Sequence, residues 1–474
     1  MSFAAAVALD NPDTGLTHNG MPTNTTTTNP VLDLFSLMGS SRGKNITQEF
    51  DAAFRVDPLL TVKCLFWARD VRGGAGERET FRALFNRLCE LDSQMAIRLL
   101  TAVPDYGRWD DLLSITHPVV AEAALKMYAD ELRIGSPYAS KWAPRQGPVA
   151  NKLRKLLGLK TPKEYRQLVV NQCRTVEQNM CARQWHNIHY EHVPSLASAR
   201  YQKAFAKNDP ARYNAWKESL KAGTGRVNSR VLFPYDVLKS LRNGDADVAQ
   251  AQWGSLPNLL GSDNILPMVD TSGSMLSRVG ADSQSSLTCA DVALSLGLYV
   301  SDKQQGAFKD LILTFSGDSR LQRLEGNLGQ KLTQLSQAHW GMNTSIERAF
   351  REILRVAVMG NVPNSEMPKI ILVLSDLEFD SSSDANQMAW SMAQETFQRH
   401  GYTTPKIVWW NLNARAGNFP VRQHATGAAL VSGFSPSILK SVLKCEEFSP
   451  VNVMMETLNN SRYESVGMAV RGAE

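Results

Sequence analysis

Apolar positions recur at two different periods along this chain, and the period changes near residue 264. Over 47–130 they fall at three- and four-residue spacing, broken at Asp57-Pro58, Gly73-Gly74, Pro104 and His117-Pro118. That spacing predicts short amphipathic helices joined by tight turns, and 31–38 predicts another helix ahead of them. Beyond 264, continuous apolar runs of strand length stand near 265–270, 310–315, 369–374 and 406–411. They alternate with helical patterns near 288–303, 344–358 and 385–399, and a further helix is expected after Ser435-Pro436. Parallel strands covered on both faces read as unbroken apolar runs, so this alternation predicts a doubly wound α/β domain. The expected organisation is an extended arm over 1–30, rich in Asn, Pro and Thr, then an α-helical region of HEAT-like repeat character over 31–242. A glycine-containing linker follows over 243–263, and a Rossmann-like α/β domain over 264–474.

Composition changes this picture in two places. With 43% hydrophobic and 20% charged residues the chain reads as globular. No apolar run is long enough for a membrane span, and the first ten residues lack a basic leader. Six scattered cysteines, Cys64, Cys89, Cys173, Cys181, Cys289 and Cys445, fit neither a disulfide framework nor zinc spacing, so a reducing, cytoplasmic setting is expected. The charge, by contrast, is uneven. Residues 141–242 hold 20 Lys and Arg against 6 Asp and Glu, so the formal net charge of +5 comes from this stretch and the remainder is acidic. Such asymmetry points to a polyanionic partner, with a solvated helical surface as the alternative.

Candidate chemistry gathers where the first α/β strand ends. Asp270, Ser272 and Ser274 alternate along a tight turn, and Gly273 lets it curl. A carboxylate and two hydroxyls converging there would offer the hard oxygens that Mg²⁺ or Mn²⁺ take; the alternative is simple capping of the next helix. The Asp-x-Ser-x-Ser pattern resembles the metal-ion-dependent adhesion site of the von Willebrand factor A family. The resemblance implies a threonine from a second loop, which Thr344 matches, and an aspartate from a third, which Asp376 matches. It further implies an open coordination position completed by an acidic group of a partner protein. Glu378 and Asp380 follow closely, with surface solvation as their simplest role. No Gly-x4-Gly-Lys-Ser/Thr loop or Gly-x-Ser-x-Gly elbow is present, and His339 is the sole nearby candidate base. An enzyme is therefore not expected, and a metal-dependent nuclease is the weakest of the readings.

In the helical region two turns combine glycines with cations: Arg69, Arg72 and Arg78 around Gly73, Gly74 and Gly76, and Arg108 beside Tyr106 and Trp109. Both could contact phosphate, or could simply join helices. Lys141, Arg145, Lys152, Arg154, Lys155, Lys203 and Arg212 continue the series through the basic stretch, interleaved with aromatics in the manner that suits single-stranded nucleic acid. At helical spacing Trp185, Tyr201, Phe205 and Trp216 are expected to be core. His186, His189 and His192 lack a second ligand pair at zinc spacing.

The phrases at 69–78, 103–112, Tyr165-Arg166, 176–182 and 193–195 resemble an uncharacterised family pairing a helical region with a von Willebrand A domain. That architecture is similar to the TROVE-domain proteins typified by the Ro ribonucleoprotein. The resemblance implies a helical region binding small structured or misfolded RNA and a metal-holding domain recruiting a protein. The competing expectation is a metal-dependent assembly or adhesion module without RNA.

Overall fold

The computed structural model describes residues 13–173, 175–228, 232–243, 246–279, 287–337, 340–383 and 387–472. They form two compact units. One takes its residues from Met1–Thr61, Phe233–Leu238 and Pro257–Asn460, the other from Val62–Leu232, Lys239–Leu256 and Ser461–Glu474. Among the described residues no helix is long and apolar enough to cross a membrane.

The first unit is built on a six-stranded sheet. A short hairpin of β1 (Thr14–Leu16) and β2 (Pro22–Asn24) precedes it in the chain. The sheet strands are β3 (Ile265–Asp270), β4 (Leu311–Phe315), β5 (Ser319–Arg323), β6 (Ile370–Ser375), β7 (Lys406–Asn411) and β8 (Ala428–Ser432), in the order β5-β4-β3-β6-β7-β8. All neighbours are parallel except β5, which returns antiparallel to β4. β3 and β6, the central pair, are buried at every position, which is why both read as unbroken apolar runs. Side-chain alternation then sorts the two faces. Met268, Leu313, Val373 and Trp409 pack in one core with the helices Ile346–Met359 and Ala389–Arg399. Val269, Ile312 and Leu374 face Gly297 of the helix Cys289–Lys303, where an added Cβ would stand 2.5 Å from Val269 Cγ2, so the helix lies this close only as glycine. The doubly wound domain expected from the sequence is present.

Two segments differ from expectation. The described part of the 1–30 arm is not extended into solvent: Met21 and Thr27 are buried, and Asn24 and Phe419 exchange backbone hydrogen bonds at 3.1 and 3.0 Å. Thr17 Oγ1 donates to the Phe379 carbonyl, and Thr23 Oγ1 to Asn418 Oδ1. The threonines and asparagines that read as an extended arm thus act as hydrogen-bonding edges against the sheet's loops. The helix Pro30–Met38 then seats on β8, where Gly39 N–H donates to Ser432 Oγ. In the expected linker, Ala246–Gly254 is a helix of the second unit, and only the chain after it runs without regular structure into β3.

The second unit is helical. Several of its short helices start with proline in the first turn, as at Pro118, Pro137, Pro148, Pro162 and Pro210, where the missing N–H costs nothing. Its core includes edge-to-face packing of Phe66 on Phe81, Phe85 and Tyr106. A separate cluster gathers Ile188, Tyr190, Phe205 and Tyr213, with Trp185, Tyr201 and Trp216 packed against it, as helical spacing predicted.

Candidate functional site

The loop after β3, the segment ahead of the helix Ile346–Met359 that the chain reaches only after β5 and the helix Leu328–Ser336, and the loop after β6 are tied together by backbone and side-chain bonds. Thr271 N–H donates to the Phe315 carbonyl at 2.8 Å, and Ser272 forms a bridge with Gly341, joining the first to β4 and to the second. Thr344 N–H donates to Asp380 Oδ2 at 2.7 Å while Asp380 N–H donates to the Thr344 carbonyl at 3.1 Å, joining the second to the third. Asp380 is therefore a clamp between loops. Within the first loop, Ser272 N–H donates to Asp270 Oδ1 at 2.8 Å, and the Ser272 and Ser274 hydroxyls lie 3.0 Å apart. Ser375 Oγ donates to Asp270 Oδ2 at 2.5 Å, and Ser274 hydrogen-bonds Asp376. Asp270, Ser272, Ser274 and Asp376 thus form one bonded group.

Asp270, Ser272, Thr344 and Asp376 are each at most 1% exposed, whereas Ser274 is half-buried and marks the open side. Thr344 Oγ1 and Asp376 Oδ2 are buried without a hydrogen-bond partner. A native structure leaves few such atoms, and each costs about 1–3 kcal/mol unless something fills it. Burial and the neighbouring Asp376 push the Asp270 carboxyl up to about 7, and burial raises Asp376 as well. Two buried carboxylates with too little positive charge between them are what a hard divalent cation would relieve. Among the described residues no group of three or more His, Cys, Asp or Glu side chains could hold a metal, so the oxygen set depends on its hydroxyls. Leu377, next to Asp376, has φ 63°, a conformation costing a non-glycine residue about 1 kcal/mol or more.

Surface solvation does not describe Glu378. It is 3% exposed, accepts the His18 N–H and the Asn418 amide, and pairs with Arg415 at 3.3 Å. Lys44 Nζ donates to Asn413 Oδ1 and the Ala414 carbonyl, and burial lowers its pKa. Neither Lys44 nor the hairpin partners of Glu378 carries a local sequence signal, because their partners lie about 360 residues away. His339 lies outside the described residues.

In the helical unit the arginines and lysines behave differently. Arg69 is buried and forked onto Asp111, with Nε and Nη2 at 2.8 and 2.7 Å from Oδ2, so it is withdrawn as a phosphate contact. Burial lowers its pKa, and Asp111 opposes that. The two glycine-containing turns meet through this pair: a Cβ on Gly107 would stand 2.4 Å from Asp111 Oδ2, and one on Gly74 would overlap the Trp67 carbonyl. Arg72 donates to the Asp105 carbonyl, and Arg78 pairs with Glu79. Arg108 forks onto Asp110 and covers the Trp142 ring at 3.9 Å. Arg145 donates to the Ser140 and Ala143 carbonyls, Arg154 to those of Leu159 and Lys160, and Arg212 to those of Trp185 and Ile188. These arginines fasten helix ends. Lys152, Lys155 and Lys203 are exposed, as is Lys141, whose Nζ lies 5.4 Å from the centre of the Trp142 ring, and none has a carboxylate partner among the described residues. Lys163 and Arg166, also in the basic stretch, are likewise exposed and without a carboxylate partner among the described residues, on the helix Pro162–Gln172.

Comparison with known proteins bears on the whole chain. The model of a domain of unknown function, DUF2828, matches 17–155 and 124–261, together just over half of the sequence. The chain belongs to the DUF2828 family. A second domain of unknown function, DUF7788, matches 264–468. The uncharacterised protein L728 of Acanthamoeba polyphaga mimivirus is 24% identical over 506 residues, covering 93% of this DUF2828 chain and 86% of that protein. The crystal structure of the Deinococcus radiodurans Ro (RSR) protein aligns over 92% of this chain and 100% of that one, with TM-score 0.50 and 13% identity. At that identity the likeness is one of fold: a helical region with a von Willebrand A-like domain, as the resemblance implied.

Proposed function

We propose that this DUF2828 protein is an RNA-binding, Ro-like ribonucleoprotein component that works by binding rather than catalysis. The observation that carries the proposal is the row of exposed cations, Lys141, Lys152, Lys155, Lys163 and Arg166, on consecutive helices with no carboxylate partner among the described residues. Solvated helical faces ordinarily intersperse both signs at three- and four-residue spacing; unpaired lysines of one sign fit a phosphate backbone. The fold shared with the Ro protein supports the same reading. Binding to RNA of moderate length across a salt series tests it: log Kd should rise linearly with log salt, and reversing Lys152, Lys155 and Lys163 to Glu should flatten the slope by about one unit per lost phosphate contact. Salt-independent binding, or none at low salt, overturns it.

A second activity is proposed for the sheet unit. Asp270, Ser272, Ser274, Thr344 and Asp376 would hold Mg²⁺ or Mn²⁺ and leave one position for an acidic group of a protein partner. The buried, unpartnered Thr344 Oγ1 and Asp376 Oδ2 support this reading. Calorimetric titration with Mg²⁺ tests it, with Asp376→Ala as the control. RNA cleavage that stops on chelation would instead favour the nuclease reading.

A further inference from the structure

Among the described residues Tyr138 is the sole Phe, Tyr or Trp side chain that lies mostly in solvent, 75% exposed, and it has no ring or hydrogen-bond partner among them. Its backbone, by contrast, is firmly held. The short helix Pro137–Trp142 buries Ala139 and Ser140. Tyr128 OH donates to the Ala139 carbonyl at 2.8 Å, Ser140 Oγ to Gln172 Oε1 at 2.7 Å, and Arg145 Nη1 to the Ser140 carbonyl at 3.0 Å. An exposed ring on an anchored helix loses little entropy when something stacks on it.

The surroundings decide what would stack. Lys141 lies three residues on and shares the exposed face of the helix. Ile134, 77% exposed, sits just before the helix, and Arg133, which also pairs with Asp130, donates from Nη2 to the Leu156 carbonyl at 3.1 Å, so the end of the helix Pro148–Leu156, which carries the exposed Lys152 and Lys155, meets the chain just ahead of Tyr138. A bare ring and a small exposed apolar surface, with Lys141 on the same helix and Lys152 and Lys155 on the next, match a nucleobase between phosphates. Trp142 cannot serve, because Arg108 already covers its ring at 3.9 Å, and Tyr128 and Tyr165 are buried.

Building on the RNA-binding reading, we infer that Tyr138 is a stacking platform for an unpaired base of single-stranded RNA, with Lys141, Lys152 and Lys155 taking the flanking phosphates. The test measures the affinity of the full chain for a single-stranded oligoribonucleotide, the same strand with one abasic site walked along it, and a blunt duplex of equal charge. Tyr138→Ala should weaken single-strand binding about 10-fold or more, leave the salt slope unchanged and leave duplex binding unchanged. Tyr138→Trp should retain wild-type affinity, and the abasic strand that costs the wild type most should cost Tyr138→Ala nothing further. Equal affinity of wild type and Tyr138→Ala, or equal losses on single strand and duplex, overturns the platform while leaving RNA binding intact. No RNA binding by the wild type at low salt overturns both.

Discussion

In the sheet unit the chemically interesting groups are oxygens taken out of water: Asp270, Thr344 and Asp376 are buried, and two of their atoms have no partner. In the helical unit the buried Arg69 is matched by Asp111, and Lys152, Lys155 and Lys163, without a carboxylate partner among the described residues, stand in solvent. The contrast teaches where each unit keeps its unspent interaction. A buried unpaired oxygen is costly and selects a small hard ion, whereas an exposed unpaired lysine costs almost nothing and suits a long, diffuse polyanion.

The sharpest way to break this comparison is to unpair a buried charge in the helical unit. Asp111→Ala leaves Arg69 buried alone and removes a partner of Arg82 as well, so chemical denaturation should show a loss of about 3–5 kcal/mol. Lys152→Ala and Lys155→Ala, by contrast, should change stability by less than about 0.5 kcal/mol. In the sheet unit, saturating Mg²⁺ at about 100 times its Kd should stabilise the protein by roughly 2.7 kcal/mol, and Thr344→Ala or Asp376→Ala should abolish that gain. Smaller still is the effect of Glu378→Ala, which strips the His18 N–H, the Asn418 amide and Arg415 of their acceptor. It should cost about 2 kcal/mol and open 13–24 to limited proteolysis.

How much of this was legible in the sequence follows from how local each signal is. The continuous apolar runs at β3, β4, β6 and β7 exposed the sheet because parallel strands bury both faces, and Thr344 and Asp376 were singled out by the resemblance, Asp376 directly after β6 and Thr344 just ahead of the helix Ile346–Met359. β5 was missed because its polar Ser319–Arg323 run is an antiparallel edge, and the N-terminal hairpin because its partners Asp380 and Phe419 lie far along the chain. A separation of 42 residues hid the Arg69–Asp111 pair, so an arginine in a glycine-rich turn looked like a phosphate ligand when its neighbour in space was a carboxylate. Lysine exposure was easier to anticipate than arginine function, since a planar fork with five donors is readily taken up by backbone carbonyls.

The most direct measurement is the salt dependence of RNA affinity for three proteins: wild type, the Lys152→Glu, Lys155→Glu, Lys163→Glu variant, and Asp270→Ala. Steep salt-dependent binding by the wild type and Asp270→Ala, with a weaker and flatter response in the triple variant, is the predicted result. Equal binding by the wild type and the triple variant, or loss of binding in Asp270→Ala alone, would contradict the assignment of RNA recognition to the helical unit.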